Sequence, residues 1–313
     1  MSADATRRPD WLKIRIRTGK RYRALRAMVD ELDLHTVCAE ARCPNIYECW
    51  NAGTATFMIL GDVCTRHCGF CNVISGLPKP GVDPDEPGHV AEAVARLGLG
   101  HAVITSVDRD DVPDGGAGHF RDVVDAIHAR LPGCAVEVLT PDFKHRSRAL
   151  ETVLASRPEV FAHNVETVPR LYRDVRPGSR YETSVDLLRR AAVERDRSLP
   201  AMRVKSSLML GLGERDEEVL ETLRDLRDAG VQVVTLGQYL RPTAGHLPVE
   251  RYVEPAAFEA LKRTGEDDLG LLHVEAGPLV RSSYHAERHR PDPPASRDGS
   301  SSLSIGSKAA AAD

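Results

Sequence analysis

The sequence predicts an α/β fold built from repeated strand–helix units. Three observations carry that reading. Between residues 56 and 264, short apolar runs of strand length alternate with helical patterns in six successive units, the mark of parallel pairing with right-handed crossovers. Just beyond the strand ends stand Cys64, Asp108, Asp142, Asn164, Glu166, Glu214 and Gln238. Open α/β sheets and barrels both gather their chemistry at that end of the strands. The length, 313 residues, suits about two ordinary domains or one α/β barrel, and either buries a sizeable core.

Residues 1–10 are polar. From Trp11 to Leu34, Tyr22, Leu25, Val29 and Leu32 recur at a three-to-four spacing, which predicts a partly helical segment. A cysteine-containing stretch follows, broken by Pro44 and Asn45, and reads as a loop that wraps a site. Thr56–Leu60 is the first strand, with a second cysteine group directly behind it. Pro87–Leu97 reads as a helix, His101–Thr105 as a strand, and Ser106–Gly118 as an Asp- and Gly-rich loop. Phe120–Leu131 is helical, Ala135–Leu139 a strand and Ser147–Ala155 a helix. Val160–Ala162 opens a fourth strand that ends in His163-Asn164-Val165-Glu166. After helix Ser184–Arg195, strand Met202–Leu210 runs into Gly211-Leu212-Gly213-Glu214. Helix Asp216–Ala229 leads to strand Val231–Leu236 and Gly237-Gln238-Tyr239. Helix Pro255–Thr264 and a short extended piece, Leu271–Glu275, complete the pattern. Residues 291–313 read as a disordered tail, rich in Pro, Ser, Gly and Ala.

The composition, 42% hydrophobic and 28% charged, is that of a globular chain. A net charge of −4 gives no general signal for nucleic acid. Basic residues crowd the start: Arg7, Arg8, Lys13, Arg15, Arg17, Lys20, Arg21, Arg23 and Arg26 face only Asp4 and Asp10 before Asp30. That segment is either a solvated face or a surface that steers an acidic protein partner. No run approaches the roughly 20 apolar residues needed to span a bilayer, and no apolar run near Met1 resembles a signal peptide. These features lead us to expect a cytoplasmic protein, where clustered cysteines read as metal sites rather than disulfides.

Six of the seven cysteines form two triplets: Cys38, Cys43 and Cys49, then Cys64, Cys68 and Cys71. The seventh, Cys134, precedes the apolar run Ala135–Leu139 and reads as a small buried residue. Thiolates at this density select zinc, Cu(I) or iron–sulfur clusters. Each triplet offers one sulfur fewer than the four that usually hold a cluster, which leaves a position for another ligand. The alternative is a closed zinc site, with His67 as a conceivable fourth ligand inside the second loop.

Cys64-Thr65-Arg66-His67-Cys68-Gly69-Phe70-Cys71 has the spacing of the cluster motif of radical S-adenosylmethionine (SAM) enzymes, including an aromatic before the last cysteine. With Cys38-x4-Cys43-x5-Cys49 it resembles the lipoyl synthases. The likeness extends to Thr105–Asp111, His163–Thr167, Gln238–Thr243 and Arg281–Ala286, and runs from about Trp11 to Ala286.

The resemblance implies a partial (β/α)6 barrel of TIM type, with an N-terminal cysteine-rich extension and a short C-terminal segment closing the site. In those terms residues 1–55 form the extension, 56–275 the barrel, 276–290 the closing segment and 291–313 the tail. Cys64, Cys68 and Cys71 would hold a [4Fe–4S] cluster whose fourth iron chelates SAM. Cys38, Cys43 and Cys49 would hold an auxiliary [4Fe–4S] cluster, with a serine of Arg281-Ser282-Ser283-Tyr284 as fourth ligand; Ser283 is the choice here. The implied reaction inserts sulfur at C6 and C8 of a protein-bound octanoyl-lysine, and the auxiliary cluster donates the sulfur. Implied partners are an octanoylated lipoyl carrier domain or glycine-cleavage H-type protein, an electron donor such as ferredoxin or flavodoxin, and an iron–sulfur carrier.

Expected SAM contacts are Phe70, Thr105, Ser106, Asn164, Glu166, Arg203, Lys205, Leu210, Gln238 and Tyr239. Asn164 and Glu166 stand two residues apart, so an extended chain presents them on one side. Arg203 and Lys205 alternate with apolar neighbours on a strand; a cation pointing into a barrel is costly unless paired, so they are candidates for SAM's carboxylate, for the cluster's negative charge or for structural ion pairs. Gly211 and Gly213 allow close backbone approach to a ligand, or simply a tight turn.

Overall fold

The computed structural model describes residues 8–14, 18–41, 43–52, 54–144 and 146–291. Residues 1–7 of the polar start and residues 292–313 of the expected tail lie outside them. In chain order the elements are α1 (Lys20–Glu31), β1 (His35–Thr36), α2 (Val37–Glu40), α3 (Ile46–Ala52), β2 (Ala55–Ile59), β3 (Val63–Cys64), β4 (Ile74–Ser75), α4 (Glu86–Leu97), β5 (His101–Ser106), α5 (Ala117–Arg130), β6 (Ala135–Leu139), α6 (Ala149–Leu154), β7 (Val160–Ala162), α7 (Tyr172–Val175), α8 (Tyr181–Ser198), β8 (Arg203–Leu210), α9 (Asp216–Asp228), β9 (Val233–Gln238), α10 (Pro255–Arg263) and β10 (His273–Gly277).

The main sheet has eight strands in the order β1-β2-β5-β6-β7-β8-β9-β10. From β2 to β10 every pairing is parallel, while β1 pairs antiparallel with β2. β1 and β10 are the edges, so the barrel is partial, as expected. β3 and β4 form a small separate parallel pair around Cys64.

The strands are buried on both faces, yet the two faces differ in chemistry. Phe57, Ile59, Ala102, Ile104, Val136, Val138, Phe161, Val204, Leu208, Val234 and Leu236 join one apolar core with helix residues Val90, Val94, Phe120, Val124, Ile127, Leu188, Val219 and Leu223. The alternate positions carry polar groups instead: Thr56, His101, Thr105, Glu137, Lys205, Ser207 and Thr235 are all buried. A period of two thus sends apolar side chains to the helices and polar ones to the barrel interior.

Three departures from the sequence reading concern short elements. The first cysteine stretch is not a plain loop: Cys38 lies on α2 and Cys49 on α3. Thr36 starts α2 by accepting from Ala39 N at 3.3 Å. Helices of four and seven residues are too short to show a periodic pattern. The two-residue strand β1 gave no signal for the same reason. The piece read as Leu271–Glu275 is a full edge strand, in register with β9 over His273–Gly277.

Candidate functional site

The loop Cys64–Cys71 leaves β3 and is fastened on several sides. Thr65 N donates to Asp108 O at 2.9 Å, Gly69 N to Val175 O at 2.9 Å and Leu247 N to Gly69 O at 3.0 Å. The His246 ring reaches Cys71 O at 2.9 Å. Gly69 suits this crowding: a Cβ there would lie 2.8 Å from Leu247 Cδ1 and 3.3 Å from Asp174 O, so the Leu247 side chain would have to shift.

Arg66 is the hub of the loop. It is buried and donates to both oxygens of Asp110 (2.9 and 3.0 Å), to Asp142 (2.7 Å) and to Ser179 Oγ (2.9 Å). Asp108 lies 3.3 Å away. Burial pushes the Asp142 carboxyl up, but the Arg66 guanidinium overrides it and holds that carboxyl well below the usual range. Arg66→Ala leaves Asp142 charged, buried and unpaired, so we expect a stability loss of about 3–5 kcal/mol. Urea unfolding checks this. Arg66→Lys restores only part of the loss, because an ammonium lacks the planar fork that grips Asp110.

Beyond β7 the chain turns sharply at Glu166, whose φ of +68° lies in the left-handed region. That conformation costs a non-glycine residue about 1–2 kcal/mol. Two backbone bonds to β8 enforce it: Glu166 N to Ser207 O and Met209 N to Glu166 O, both 2.9 Å. The turn brings Asn164 Nδ2 to within 3.1 Å of Glu166 Oε1. Arg176 closes the group from the loop after α7, donating to Asn164 O at 2.8 Å and to Tyr172 Oη at 3.1 Å. Burial pushes the Glu166 carboxyl up, and Arg176 offsets only part of that.

The first cysteine triplet meets the C-terminal segment. Asn45 Nδ2 donates to Leu279 O at 2.6 Å, and Tyr284 Oη to Glu48 Oε1 at 3.1 Å. The segment also presses on the β9 terminus: a Cβ on Gly237 would lie 2.0 Å from Val280 O, a backbone atom with nowhere to go. Asn72 Nδ2 donates to Glu40 O at 2.9 Å and so links the two cysteine regions.

These parts enclose one cavity of about 510 Å³ at the carboxyl ends of the strands. Cys64, Cys68, Cys71, Phe70, Thr105, Ser106, Asn164, Glu166, Gln238, Tyr239, Ser282 and Ser283 all border it. Around the first triplet the wall is formed by Val37, Ala41 and Pro44, which flank Cys38 and Cys43.

Three expected cofactor contacts are not brought to the cavity. Lys205 is fully buried near the amino end of the barrel, where its Nζ donates to both oxygens of Glu137 at 2.7 and 3.0 Å. Of the three roles open to it, the structural ion pair is the one realised. Arg203 opens β8, at the end away from the cavity, and Leu210 packs in the apolar core. Gln238 borders the cavity, but its amide is occupied: Nε2 donates to Tyr239 O and Arg251 O, and Oε1 accepts from Val253 N. Arg66, Arg176 and Arg281 are wall residues that sequence reasoning missed. No spacing marks Arg176, which sits in an irregular loop.

Residues 58–226 match the model of the Radical SAM superfamily. Residues 2–43 match the N-terminal domain of lipoyl synthase of the radical SAM family. Lipoyl synthase of Rubrobacter xylanophilus is 55% identical over 285 residues, covering 91% of this chain and 87% of that one. Lipoyl synthase of Thermus thermophilus is 58% identical over 282 residues, covering 90% and 86%. The chain belongs to the lipoyl synthase family. Among solved structures, Streptococcus suis SuiB bound to S-adenosylmethionine shares the fold, with a TM-score of 0.52 at 11% identity over 72% of this chain and 51% of that one. The chain therefore spans about half the length of SuiB.

The four segments that carry the likeness to lipoyl synthases converge in space. Thr105–Asp108, Asn164 and Glu166, Gln238–Pro242 and Arg281–Ser283 border the same cavity, although they are far apart in the chain. The donor chemistry fits iron–sulfur clusters. Each triplet offers three soft thiolates, one short of the four that usually hold a cluster or close a structural zinc site. Burial pushes the thiols up, Cys38 and Cys71 to about 11, and Cys68 to about 12 against the pull of Arg176. Metal binding at such thiols would release their protons.

Proposed function

We propose that this lipoyl synthase family member inserts two sulfur atoms at C6 and C8 of an octanoyl group held in amide linkage on a lysine of a lipoyl carrier domain. The observation that carries the reading is the shared cavity: the Cys64, Cys68 and Cys71 loop, the residues flanking Cys38 and Cys43, and Ser282 and Ser283 all border it. In this reading Cys64, Cys68 and Cys71 hold a [4Fe–4S] cluster open to SAM. Cys38, Cys43, Cys49 and Ser283 hold the auxiliary [4Fe–4S] cluster. When bound, these groups supply the one-electron chemistry and the sulfur that an unactivated C–H bond requires.

The protein's own part is positioning and exclusion. Phe70, Thr105, Ser106, Asn164, Glu166 and Tyr239 border the space for SAM, with Gln238 fixing the wall. Arg176 holds Asn164 by its carbonyl and offsets the negative charge of Glu166. Met58, Val107, Leu139, Met209 and Leu240 give the cavity an apolar lining that keeps water from a reactive centre. A hydroxyl is a harder and poorer iron ligand than a thiolate, so a serine-held iron is released more easily, which suits a cluster that is consumed.

The finer partners belong to the same proposal: a lipoyl carrier domain or H-type protein as substrate, a ferredoxin or flavodoxin as reductant, and an iron–sulfur carrier that rebuilds the auxiliary cluster in the cytoplasm. No helix among the described residues is long and apolar enough to cross a membrane. Of the basic N-terminal stretch, Arg8 borders the cavity, which suits a role in receiving an acidic carrier.

The test is an anaerobic assay of the reconstituted protein with SAM, a reductant and an octanoyl-lysine peptide, read by mass spectrometry. Lipoyl peptide together with 5′-deoxyadenosine is the expected result. Deoxyadenosine without any sulfur-containing peptide, with both clusters shown to be present, would direct the radical chemistry to another substrate. In the same assay Ser283→Ala weakens retention of the auxiliary iron; if Ser282→Ala does so instead, the other serine is the ligand.

A further inference from the structure

At the amino end of the barrel the C-terminal segment comes back to the sheet. Arg290 Nη1 donates to Gly100 O at 3.2 Å, just before β5, and His289 is buried beside β10. His273 and Glu275 stand two residues apart on β10 and therefore on one face of it. The His273 and His289 rings are 5.2 Å apart. One donor atom from each of His273, Glu275 and His289 lies within 4.8 Å of the other two.

His289 is the unexplained member. It is only 2% exposed, and neither Nδ1 nor Nε2 has a hydrogen-bond partner among the described residues. Buried polar groups are almost always satisfied, and an exception asks for a missing partner. The other two members are already oriented. His273 Nε2 faces Glu275 at 3.3 Å, and its Nδ1 faces Glu266 at 3.6 Å. Glu266 is itself fixed by Val274 N at 2.8 Å. A carboxylate behind one ring nitrogen, with the other turned to the site, is the usual arrangement around a metal-ligating histidine.

We infer that His273, Glu275 and His289 bind a divalent transition ion, specifically zinc, separate from both cysteine centres. Two imidazoles and one carboxylate are nitrogen and oxygen donors of the kind zinc accepts, with a fourth position left for water. They are a poor set for calcium or magnesium, which prefer oxygen alone. The nearby cation Lys205 does not oppose the ion as a free charge, since Glu137 takes it on both oxygens. The consequence reaches the cavity. Ser282 and Ser283 lie on the segment that begins against Gly237 and ends at His289, so an ion at His289 pins its far end to the sheet.

The experiment uses full-length protein with both cysteine centres loaded, dialysed against micromolar zinc and then freed of loose metal. Zinc, iron and sulfide are measured in one sample, and the zinc environment by X-ray absorption. The expected result is one zinc per chain with iron unchanged, and nitrogen or oxygen neighbours at roughly 2.0–2.2 Å without sulfur near 2.3 Å. His289→Ala and the milder Glu275→Gln each retain less than about a tenth of that zinc, with iron content unchanged. Absence of tightly held zinc, sulfur neighbours around it, or full retention by both variants would overturn the assignment. None of these readouts depends on lipoyl formation, so this inference and the proposed activity fail separately.

Discussion

Cys68→Ala abolishes SAM cleavage, whereas Cys43→Ala spares part of it and still stops sulfur insertion. The two cysteines serve different centres in the proposed scheme. Cys68 borders the cavity on the loop that Arg66 clamps, and its loss removes one of three sulfurs available to the SAM-binding cluster. Deoxyadenosine formation then falls by more than about a hundredfold, beyond the 10–100-fold typical of losing a group that only orients a metal ligand. Cys43 belongs to the stretch tied to the C-terminal segment through Asn45 and Leu279. Its loss leaves the Cys64–Cys71 loop and its anchors in place, so reductive cleavage of SAM persists while the sulfur source is gone. Chromatography of deoxyadenosine and mass spectrometry of the peptide read the two steps separately. Lipoyl product from the Cys43 variant would sink the role of the first triplet as sulfur donor.

Glu137→Gln costs about 3–5 kcal/mol of folding stability, because it strands Lys205 in the barrel interior. Burial opposes ionisation of Glu137, but the Lys205 ammonium outweighs it and holds the carboxyl below its ordinary range. Both side chains are about 1% exposed, so water cannot take over when one partner is removed. Replacing both together, with Glu137→Leu and Lys205→Met, recovers most of the loss, since an apolar pair of similar volume leaves no buried charge. Urea unfolding of the single and double variants measures the difference. A single-variant loss below about 1 kcal/mol would mean that Lys205 finds another partner or sheds its proton.

The sequence was legible where the signal is local and repeated. The strand at 135–139 coincides with the run read from residue type, β2, β5, β8 and β9 differ from theirs by one or two residues at one or both ends, and β7 stops at Ala162 where the reading carried the strand on to Glu166. The helix read as Asp216–Ala229 spans Asp216–Asp228, with Glu218 in its first turn accepting from Arg215 N at 2.8 Å. Of the two cysteine stretches read as loops, the second is one, while the first carries Cys38 on α2 and Cys49 on α3. The two-residue strand β1 and the short helices α2, α3 and α7 were not legible, because they hold together through tertiary contact rather than pattern.

By itself, the sequence determined the order of strands and helices, the end of the barrel where the cavity opens, and the spacing of the two thiol triplets. These depend on residues close in the chain and on side-chain chemistry that no fold alters. Only the tertiary structure decided that Lys205 spends its charge on Glu137, that Arg176 backs Asn164, and that Gln238 braces the wall with its amide. It alone set Leu279 beside Asn45, 234 residues earlier in the chain, and His289 beside His273 on an edge strand. The reason is physical: a buried polar group takes its role from whichever partner folding brings within bonding distance, and in a parallel barrel that partner comes from a distant strand.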